Sequence, residues 1–357
     1  MTSTVTRERV LQVLEQVLDP EVNRSIVELN MVRKVEIHDS AVDVEVALTV
    51  RGCPLAKSIE DDVRKTVLAI PGIQKVNVTL GTMSPEELKG FLGQNKARHP
   101  QAGTEHIKHL IVVGAGKGGV GKSTIAVNLA LAFQVMKKRV GLFDADLYGP
   151  STAKMLGITA QPIGLTENLI EPIEAHDLKV MTFGTILREN QPVIWRGPML
   201  HKAIEQFLMD TLWGELDYLV MDLPPGTGDV AISTSQLAKI DGAVLVTTPQ
   251  DVAVLDVRKA LSMFRSLSIP ILGVVENMAY FKCGKCGEIH HLFGEGGAER
   301  LSALERVPVL GQVPIEKALM ESADRGVPFM LDSGDQSEAY QAILGIARRI
   351  DEKFASR

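Results

Sequence analysis

A run of glycines that ends in lysine and serine has the residue types and spacing that bind phosphate. Gly116, Gly121, Lys122 and Ser123 fit the pattern G-x-x-x-x-G-K-[ST]. In this pattern backbone N–H groups surround the phosphates, the lysine reaches the β- and γ-phosphates, and the hydroxyl contacts Mg²⁺. The other residues of the stretch are Lys117, Gly118, Gly119, Val120 and Thr124. The stretch therefore predicts a nucleotide-binding site.

A strand and a helix have to position this loop. An apolar run at residues 110–113 precedes it, and apolar residues follow it at the spacing of one helix face: Ile125, Leu129, Phe133 and Met136. The N-terminus of that helix adds a partial positive charge. Because the bare pattern can arise by chance, the prediction rests on this strand, loop and helix context.

Acidic residues follow two other apolar runs. Asp144 and Asp146 come after residues 140–143, and Asp222 comes after residues 218–221. Asp144 and Asp146 either cap the following turn or order the Mg²⁺ shell and the attacking water. Asp222 would be costly to bury without a partner, which favours a role linked to Mg²⁺. The glycines and prolines after Asp222 are typical of a loop that changes with the γ-phosphate.

Two of the three cysteines, Cys283 and Cys286, have C-x-x-C spacing. Two chains would supply four thiolates, enough for a bridging [4Fe–4S] cluster. Alternatively, His290 or His291 completes a single structural zinc site. A thioredoxin-like redox pair is the third alternative, but the surrounding strand, turn and helix order does not fit it.

Cys53 is a candidate reactive thiol. It lies between Arg51 and Pro54, and the proline suits the first turn of a helix. A positive helix end and a nearby arginine both lower a thiol pKa. The alternative is a buried cysteine that acts as a small hydrophobic residue.

Apolar runs of strand length alternate with helical segments from residue 107 onward. The runs cover residues 110–113, 140–143, 180–183, 218–221, 243–246 and 271–275. Such alternation implies a mostly parallel sheet covered by helices. Ligands gather at the carboxyl ends of strands in such sheets, which is where the phosphate pattern, the acidic residues and the cysteine pair fall.

The first 92 residues have a different element order. The patterns predict a helix at 7–18, strands at 32–38 and 42–50, a helix at 55–67 and a strand at 76–80. A short helix is expected from the cap Ser84 to Phe91. We therefore predict a small α+β domain at 1–92, a linker at 93–106 and a nucleotide-binding domain at 107–357.

Composition limits the function classes. The 357 residues are 45% hydrophobic and 23% charged, with a net charge of −6, which is ordinary for a globular protein and counts against nucleic-acid binding. Residues 1–10 lack the apolar core of a signal peptide, and no run reaches eighteen apolar residues. We expect a cytoplasmic protein without membrane or nucleic-acid partners, whose residues 337–357 form a packed helix rather than a membrane-targeting one.

The phosphate pattern also carries an early lysine, Lys117, in the sequence Lys-Gly-Gly-Val-Gly-Lys-Ser-Thr. This resembles the deviant Walker A motif of the MinD, ParA and nitrogenase iron protein class of ATPases. Residues 107–335 are similar to the Mrp/ApbC family of iron–sulfur carrier ATPases, and residues 1–90 resemble the small SufT-type domain often fused in front. The motifs shared with the carrier family are the phosphate loop, both switch segments, Thr247-Thr-Pro-Gln250, Glu276-Asn-Met278 and the cysteine pair.

The resemblance implies an α/β P-loop NTPase with a mostly parallel, doubly wound sheet, preceded by a small α+β domain. It implies a homodimeric MgATPase that holds a [4Fe–4S] cluster between its subunits, works with scaffold proteins and hands the cluster to apoproteins. By position, Lys122, Ser123 and Asp222 would hold Mg·ATP, and Lys117 would act on the partner's nucleotide. The resemblance also implies that Asp146 would orient or deprotonate the hydrolytic water and that Asp144 would support the metal. Gly226 would present its backbone N–H to the γ-phosphate, and Asn277 would recognise the adenine edge.

Other functions stay open. A ParA/MinD-like positioning switch would bind DNA or membrane, and an electron donor would resemble nitrogenase iron protein. Many members of the carrier family have a proline after the first cysteine, whereas this chain has Cys283-Gly-Lys-Cys286-Gly followed by two histidines. This departure leaves room for a zinc-stabilised P-loop ATPase.

Overall fold

The computed structural model describes residues 5–18, 25–38, 40–48, 56–84, 102–147, 149–166, 169–185, 197–226, 228–332 and 337–356. Contacts divide the chain into two compact units, residues 1–97 and 98–357. The apolar core of the first unit is one cluster, and that of the second consists of two others. Each unit therefore has a core of its own.

The first unit is an α+β fold with the predicted element order. It contains α1 (Arg7–Leu14), β1 (Val32–His38), β2 (Ala41–Leu48), α2 (Ala56–Leu68) and β3 (Lys75–Thr82). Strands β1 and β2 pair antiparallel, and β3 returns parallel to β2 after the α2 crossover. Alternate residues of β2 are buried, so one face of the sheet meets the helices while the other faces water.

Several predicted features lie outside the described residues. They are Cys53 with its neighbours Arg51 and Pro54, residues 85–91 of the predicted short helix and residues 93–101 of the predicted linker. Helix α1 ends at Leu14, four residues earlier than the pattern predicted.

The second unit is built on a nine-stranded sheet. Its strands are β4 (Ile107–Ala115), β5 (Val140–Asp144), β8 (Ile173–Ala175), β9 (Leu178–Thr182), β10 (Leu216–Asp222), β11 (Gly242–Thr247), β12 (Ile271–Lys282), β13 (Ile289–His290) and β14 (Val309–Ile315). Seven run parallel in the order β14-β12-β11-β4-β10-β5-β9. Strands β8 and β13 pair antiparallel to β9 and β12. Two further strands, β6 (Ile163–Thr166) and β7 (Leu169–Glu171), form a separate ribbon.

Helices cover both faces of this sheet. They are α3 (Lys122–Val135), α4 (Thr152–Met155), α5 (Gly197–Met209), α6 (Asp229–Leu237), α7 (Asp251–Ser266), α8 (Gly297–Glu305), α9 (Lys317–Arg325), α10 (Phe329–Asp332) and α11 (Glu338–Ala355), with a 3₁₀ turn at Phe183–Thr185. Ile111 and Val113 of β4 pack with α3 and α11, whereas Leu110 and Val112 pack with α5 and α7. This confirms the predicted mostly parallel, doubly wound sheet.

The C-terminal helix α11 is a packed element of the core, as predicted. Ser337 caps it by accepting a hydrogen bond from the backbone N–H of Tyr340 at 3.0 Å. Ile343, Leu344 and Ile350 are buried in the same cluster as α3. Within the described segments, no helix is long and apolar enough to cross a membrane.

The sheet is wider than the sequence patterns predicted. Strand β12 continues to Lys282 instead of ending at Val275, and β14 had no predicted counterpart. Polar and aromatic residues end the apolar run inside β12, and β14 contains Gly311 and Pro314, which are typical of loops. The extension matters because it leads directly to Cys283.

Candidate functional site

The phosphate loop connects β4 to α3 at the carboxyl edge of the sheet. Gly119 and Gly121 both have φ of +79°, a conformation that glycine adopts without steric cost. A Cβ atom added to Gly116 would lie 2.1 Å from the backbone carbonyl carbon of Asp256 in α7. No side chain fits there, so the loop is fixed by close backbone packing on a neighbouring helix.

A single ammonium group lies at the centre of this edge. Lys122 is 6% exposed, and its Nζ donates to Asp222 Oδ1 at 2.5 Å and to Ser123 Oγ at 3.2 Å. The same Nζ lies 3.6 Å from Asp146 Oδ2. Lys122 therefore joins the phosphate loop to the ends of both β5 and β10.

Asp222 has the features of a metal-linked carboxylate. Its side chain is fully buried at the end of β10, and burial raises the pKa of Asp222 to about 7, although the Lys122 ammonium opposes the rise. Its Oδ2 is buried and has no hydrogen-bond partner within the described residues. Mg²⁺ prefers hard oxygen ligands. The unpaired carboxylate oxygen of Asp222 and the nearby hydroxyl of Ser123 are ligands of this kind, so these residues fit Mg²⁺.

Asp144 and Asp146 have different surroundings. Asp144 Oδ1 accepts from the Asp146 N–H at 3.1 Å, and its Oδ2 accepts from the Thr152 N–H at 3.2 Å and from Thr182 Oγ1 at 3.1 Å. Burial raises the pKa of Asp144, which these backbone donors oppose. The predicted capping alternative thus describes Asp144, which holds the turn, while Asp146 faces the ammonium of Lys122.

The other residues predicted from the sequence also lie along this edge. Asn277 is 4% exposed and donates to the Val120 carbonyl at 2.9 Å, so its amide is bonded to the phosphate loop. The Gly226 N–H donates to the Ala115 carbonyl at 3.0 Å. A cavity of about 240 Å³ is lined by these members of the site, among others: Lys117, Gly118, Gly119, Ser123, Thr124 and Asp146.

The cysteine pair lies in the turn between β12 and β13. The Cys283 N–H donates to the Glu288 carbonyl at 2.9 Å, and the Gly287 N–H donates to the Cys283 carbonyl at 2.8 Å. Backbone N–H groups of Cys286 and Lys285 lower the pKa of the Cys283 thiol. Cys286 is exposed and Cys283 is half-buried. The turn therefore offers both sulfurs to an incoming metal or cluster, and its backbone N–H groups favour the thiolate form of Cys283.

The two histidines do not complete a single-chain zinc site with these sulfurs. His290 Nε2 lies 3.8 Å from Glu288 and His291 Nε2 lies 3.9 Å from Glu295, while His291 Nδ1 is 3.3 Å from the Ala279 carbonyl. In the described part of the chain, no Cys, His, Asp or Glu forms a three-ligand group with Cys283 and Cys286. Among the described residues, one chain therefore offers only these two sulfurs at this turn.

Sequence reasoning missed the contacts that hold the site together. Thr182 at the end of β9 bonds to Asp144, and the available signal was a single hydroxyl inside the apolar run at 180–183. Glu276 is 1% exposed and accepts from the Ala298 N–H of α8 at 2.8 Å. Neither partnership can be inferred from spacing, because each joins elements distant in sequence.

Two family models match the chain. Residues 106–351 match the model described as NUBPL iron-transfer P-loop NTPase. The chain belongs to this family. Residues 7–80 match a second model, described as iron-sulfur cluster assembly protein. The family predicted from the motifs, an iron–sulfur carrier P-loop NTPase with an assembly-type domain in front, is thereby confirmed.

Relatives agree over nearly the whole length. A protein of Deinococcus radiodurans named iron-sulfur cluster carrier protein is 43% identical over 349 residues, which are 98% of this chain and 95% of that protein. The protein of the same name from Synechocystis is 41% identical over 356 residues and 98% of both chains.

Solved structures support the fold. A nucleotide-binding protein of Archaeoglobus fulgidus in complex with ADP is 37% identical, with a TM-score of 0.58 over 65% of this chain and 91% of that one. The cell division ATPase MinD of Pyrococcus furiosus shares the fold at 21% identity, with a TM-score of 0.53 over 69% and 99% of the two chains.

Close packing at Gly116 gives a first prediction. Gly116→Ala places a methyl group against the backbone of Asp256, whereas a Cβ at Gly118 meets nothing within 4 Å. We expect Gly116→Ala to lower the free energy of unfolding by about 1–3 kcal/mol and Gly118→Ala to change it little, as measured by thermal denaturation without nucleotide. Equal stability of the two variants would contradict the close approach.

The buried ion pair gives a second prediction. Lys122→Met leaves Asp222 buried without its cation, which costs about 3–5 kcal/mol when a buried pair is broken. The folded pKa of Asp222 then rises further above its unfolded value, so the stability of the variant falls as pH rises through that pKa. We expect a larger loss at pH 8 than at pH 6 in chemical denaturation.

The matched control removes both charges. Lys122→Met combined with Asp222→Asn should recover part of the stability and lose most of the added pH dependence, because the fully buried carboxylate is gone and only Asp146 still lacks its cation. A double variant as unstable and as pH-dependent as Lys122→Met would show that Asp222 does not carry the effect.

Proposed function

We propose that the protein is a Mg²⁺-dependent ATPase that assembles a [4Fe–4S] cluster between two copies of its chain and transfers it to apoproteins. The observation that carries the proposal is the half-site at Cys283 and Cys286, whose two thiols lie in an exposed turn. A cubane cluster takes four thiolates, so a second copy supplies the missing pair. Scaffold proteins are the proposed source of the cluster.

Nucleotide binding uses the charge cluster at the carboxyl edge. Lys122 turns from Asp222 to the β- and γ-phosphates, which frees the Asp222 carboxylate to join Ser123 in holding Mg²⁺. When bound, Mg²⁺ neutralises charge that develops on the phosphates. Asp146 orients the attacking water, and Asp144 supports the metal and holds the turn that carries Asp146. The Gly226 N–H leaves the Ala115 carbonyl to meet the γ-phosphate.

The remaining roles concern recognition and the partner subunit. Asn277 reads the adenine edge, and Lys117 reaches the nucleotide of the partner subunit. Support for a dimer comes from apolar side chains exposed near the starts of α6 and α7, the helices that leave this edge: Ile232, Val252 and Leu255. Others flank the cysteine turn: Ile289, Leu292 and Phe293. Apolar patches of this kind mark protein interfaces.

The proposal also includes the domain boundaries and a role for Cys53. We assign residues 1–92 to the small assembly domain, 93–106 to the linker and 107–357 to the ATPase. Cys53 is the proposed reactive thiol of the small domain, and alkylation at mildly acidic pH tests it. A Cys53 that stays unlabelled in the native protein would exclude that role.

Simple assays distinguish two other functions from the proposed one. A ParA/MinD-like switch would sediment with liposomes or DNA in the presence of ATP, whereas we expect no such binding. An electron donor would support reduction of a redox partner without transferring iron. A carrier is distinguished from both by iron and sulfide that pass to an apoprotein.

The cysteine pair gives a direct test. Changing both Cys283 and Cys286 to Ala should abolish cluster binding after anaerobic reconstitution, measured by iron and sulfide content and by visible absorbance, because no thiolate pair remains. The variant should still bind nucleotide, since the turn lies outside the phosphate loop. Cys53→Ala is the matched control, and unaffected cluster transfer by the double variant would refute the proposal.

The trans role of Lys117 predicts complementation. Lys117→Ala and Asp146→Asn should each lower ATP hydrolysis about 100-fold or more, as loss of a charge-stabilising group does in phosphoryl transfer. Mixed dimers place the intact Lys117 of one chain against the intact Asp146 of the other. In an equal mixture about half of the dimers are mixed, and each mixed dimer has one active site out of two. Mixing should therefore restore about a quarter of the native rate. No gain on mixing would mean that Lys117 acts within its own subunit.

A further inference from the structure

Strand β12 physically connects the phosphate loop to the cysteine turn. It runs for 12 residues from Ile271 to Lys282 and ends directly before Cys283. Asn277 lies in its middle and donates to the Val120 carbonyl of the phosphate loop at 2.9 Å. Cys283 lies six positions after Asn277, a span of about 20 Å or less in an extended strand.

Met278 lies beside the same loop. A Cβ atom added to Gly121 would lie 2.2 Å from Asn277 Nδ2 and 3.7 Å from the Met278 methyl carbon. Two successive side chains of β12 therefore border the last glycine before α3. A shift of Gly121 that accommodates phosphates would change the space open to both side chains.

The backbone of β12 is irregular at this point. Met278 has φ of +56° and is the one non-glycine residue with left-handed φ inside a strand of the described part of the chain. The pairing with β14 also slips here, because the step from Asn277 to Phe281 faces the step from Val313 to Ile315. Unlike asparagine, methionine has no local hydrogen bond to compensate such a conformation, so packing against the loop is what maintains it.

The segment beyond the irregularity is attached to the cysteine turn and not to the centre of the sheet. Pairing of β12 with β11 ends at Glu276, whereas Phe281 and Lys282 pair with β13 on the far side of the turn. Lys282 and Tyr280 also bond to Glu338 of α11. Beyond the irregularity at Met278, residues 279–282 and the turn are therefore held by β13, by Glu338 and by the pairing of Phe281 with Ile315 of β14, and not by β11.

We propose that Met278 is a positioning residue that couples nucleotide in the phosphate loop to the exposure and reactivity of Cys283. Phosphates displace Gly121, the contacts with Asn277 and Met278 change, and the backbone at Met278 relaxes toward ordinary strand geometry. Residues 279–282 then reorient and carry the turn with them. The inference rests on the proposed function only in treating Cys283 as the residue that holds the cluster.

Alkylation of Cys283 tests this coupling without any iron. The full-length, iron-free protein is treated with iodoacetamide with and without Mg²⁺ and a non-hydrolysable ATP analogue, and labelling rates are read by peptide mass spectrometry. Each variant is measured at nucleotide concentrations that saturate it. In the native protein we expect nucleotide to change the Cys283 rate about fivefold or more, the size of ordinary allosteric coupling.

Three substitutions separate the backbone from the side chain. Met278→Gly accepts the left-handed backbone and removes the contact with Gly121, so the nucleotide response of Cys283 should fall to less than about twofold. Met278→Asn also tolerates this backbone and should show the same loss, which covers a failure of the glycine variant to fold. Met278→Leu keeps the bulk and should retain the response.

The proposal is overturned if nucleotide changes the labelling rate of Cys283 in Met278→Gly and Met278→Asn as much as it does in the native protein. It is equally overturned by a native protein that binds nucleotide, as calorimetry shows, without any change in Cys283 labelling. The proposed function fails by a different measurement, the absence of iron and sulfide from the reconstituted native protein. The two failures are therefore distinguishable.

Discussion

The ammonium of Lys122 is the charge on which the arrangement of the site depends. Asp146 and Asp222 lie at the ends of neighbouring parallel strands, both nearly buried, and Lys122 Nζ is 3.6 Å from one and 2.5 Å from the other. Two buried carboxylates without a cation would repel each other and lose their hydration. The phosphate loop is therefore tied to the strand ends by the same lysine that the loop presents to phosphate. In the proposed mechanism, Lys122 leaves the carboxylates for the phosphates when nucleotide binds, and Asp222 with Ser123 would then hold Mg²⁺.

The sequence carried enough information for the fold and for most members of this site. Apolar runs located β4, β5, β9, β10 and β11 because buried parallel strands are continuous in hydrophobicity. The acidic residues could be placed together because they follow such runs, and carboxyl ends of parallel strands share one edge. The end of β12 was missed because Asn277, Tyr280 and Lys282 break the apolar run. Strand β14 was missed because it contains Gly311 and Pro314. The pairing of both segments comes from tertiary neighbours instead.

Contacts between distant residues could not be predicted in the same way. The bond from Asn277 to Val120 joins residues 157 positions apart, and no pattern in either segment encodes it. The two alternative roles of Asp144 show the same limit of prediction from sequence. Spacing left capping and metal support equally open, and only the positions of Thr152 and Thr182 favour capping. The zinc alternative required knowing where His290 and His291 lie relative to the sulfurs, which depends on the length of β13.

The position of the cysteine turn follows from the same topology. Cys283 comes at the carboxyl end of β12, the same end of the sheet from which the phosphate loop and both carboxylate turns leave. A twofold axis that brings two copies of this edge together relates each nucleotide site and each cysteine pair to its counterpart, because the interface is the same surface on both chains. In the proposed dimer, one symmetric contact would place Lys117 against the partner's nucleotide and would bring four sulfurs together. Closure on nucleotide and assembly of the cluster site are geometrically a single event, which gives the proposed carrier a physical reason to use ATP.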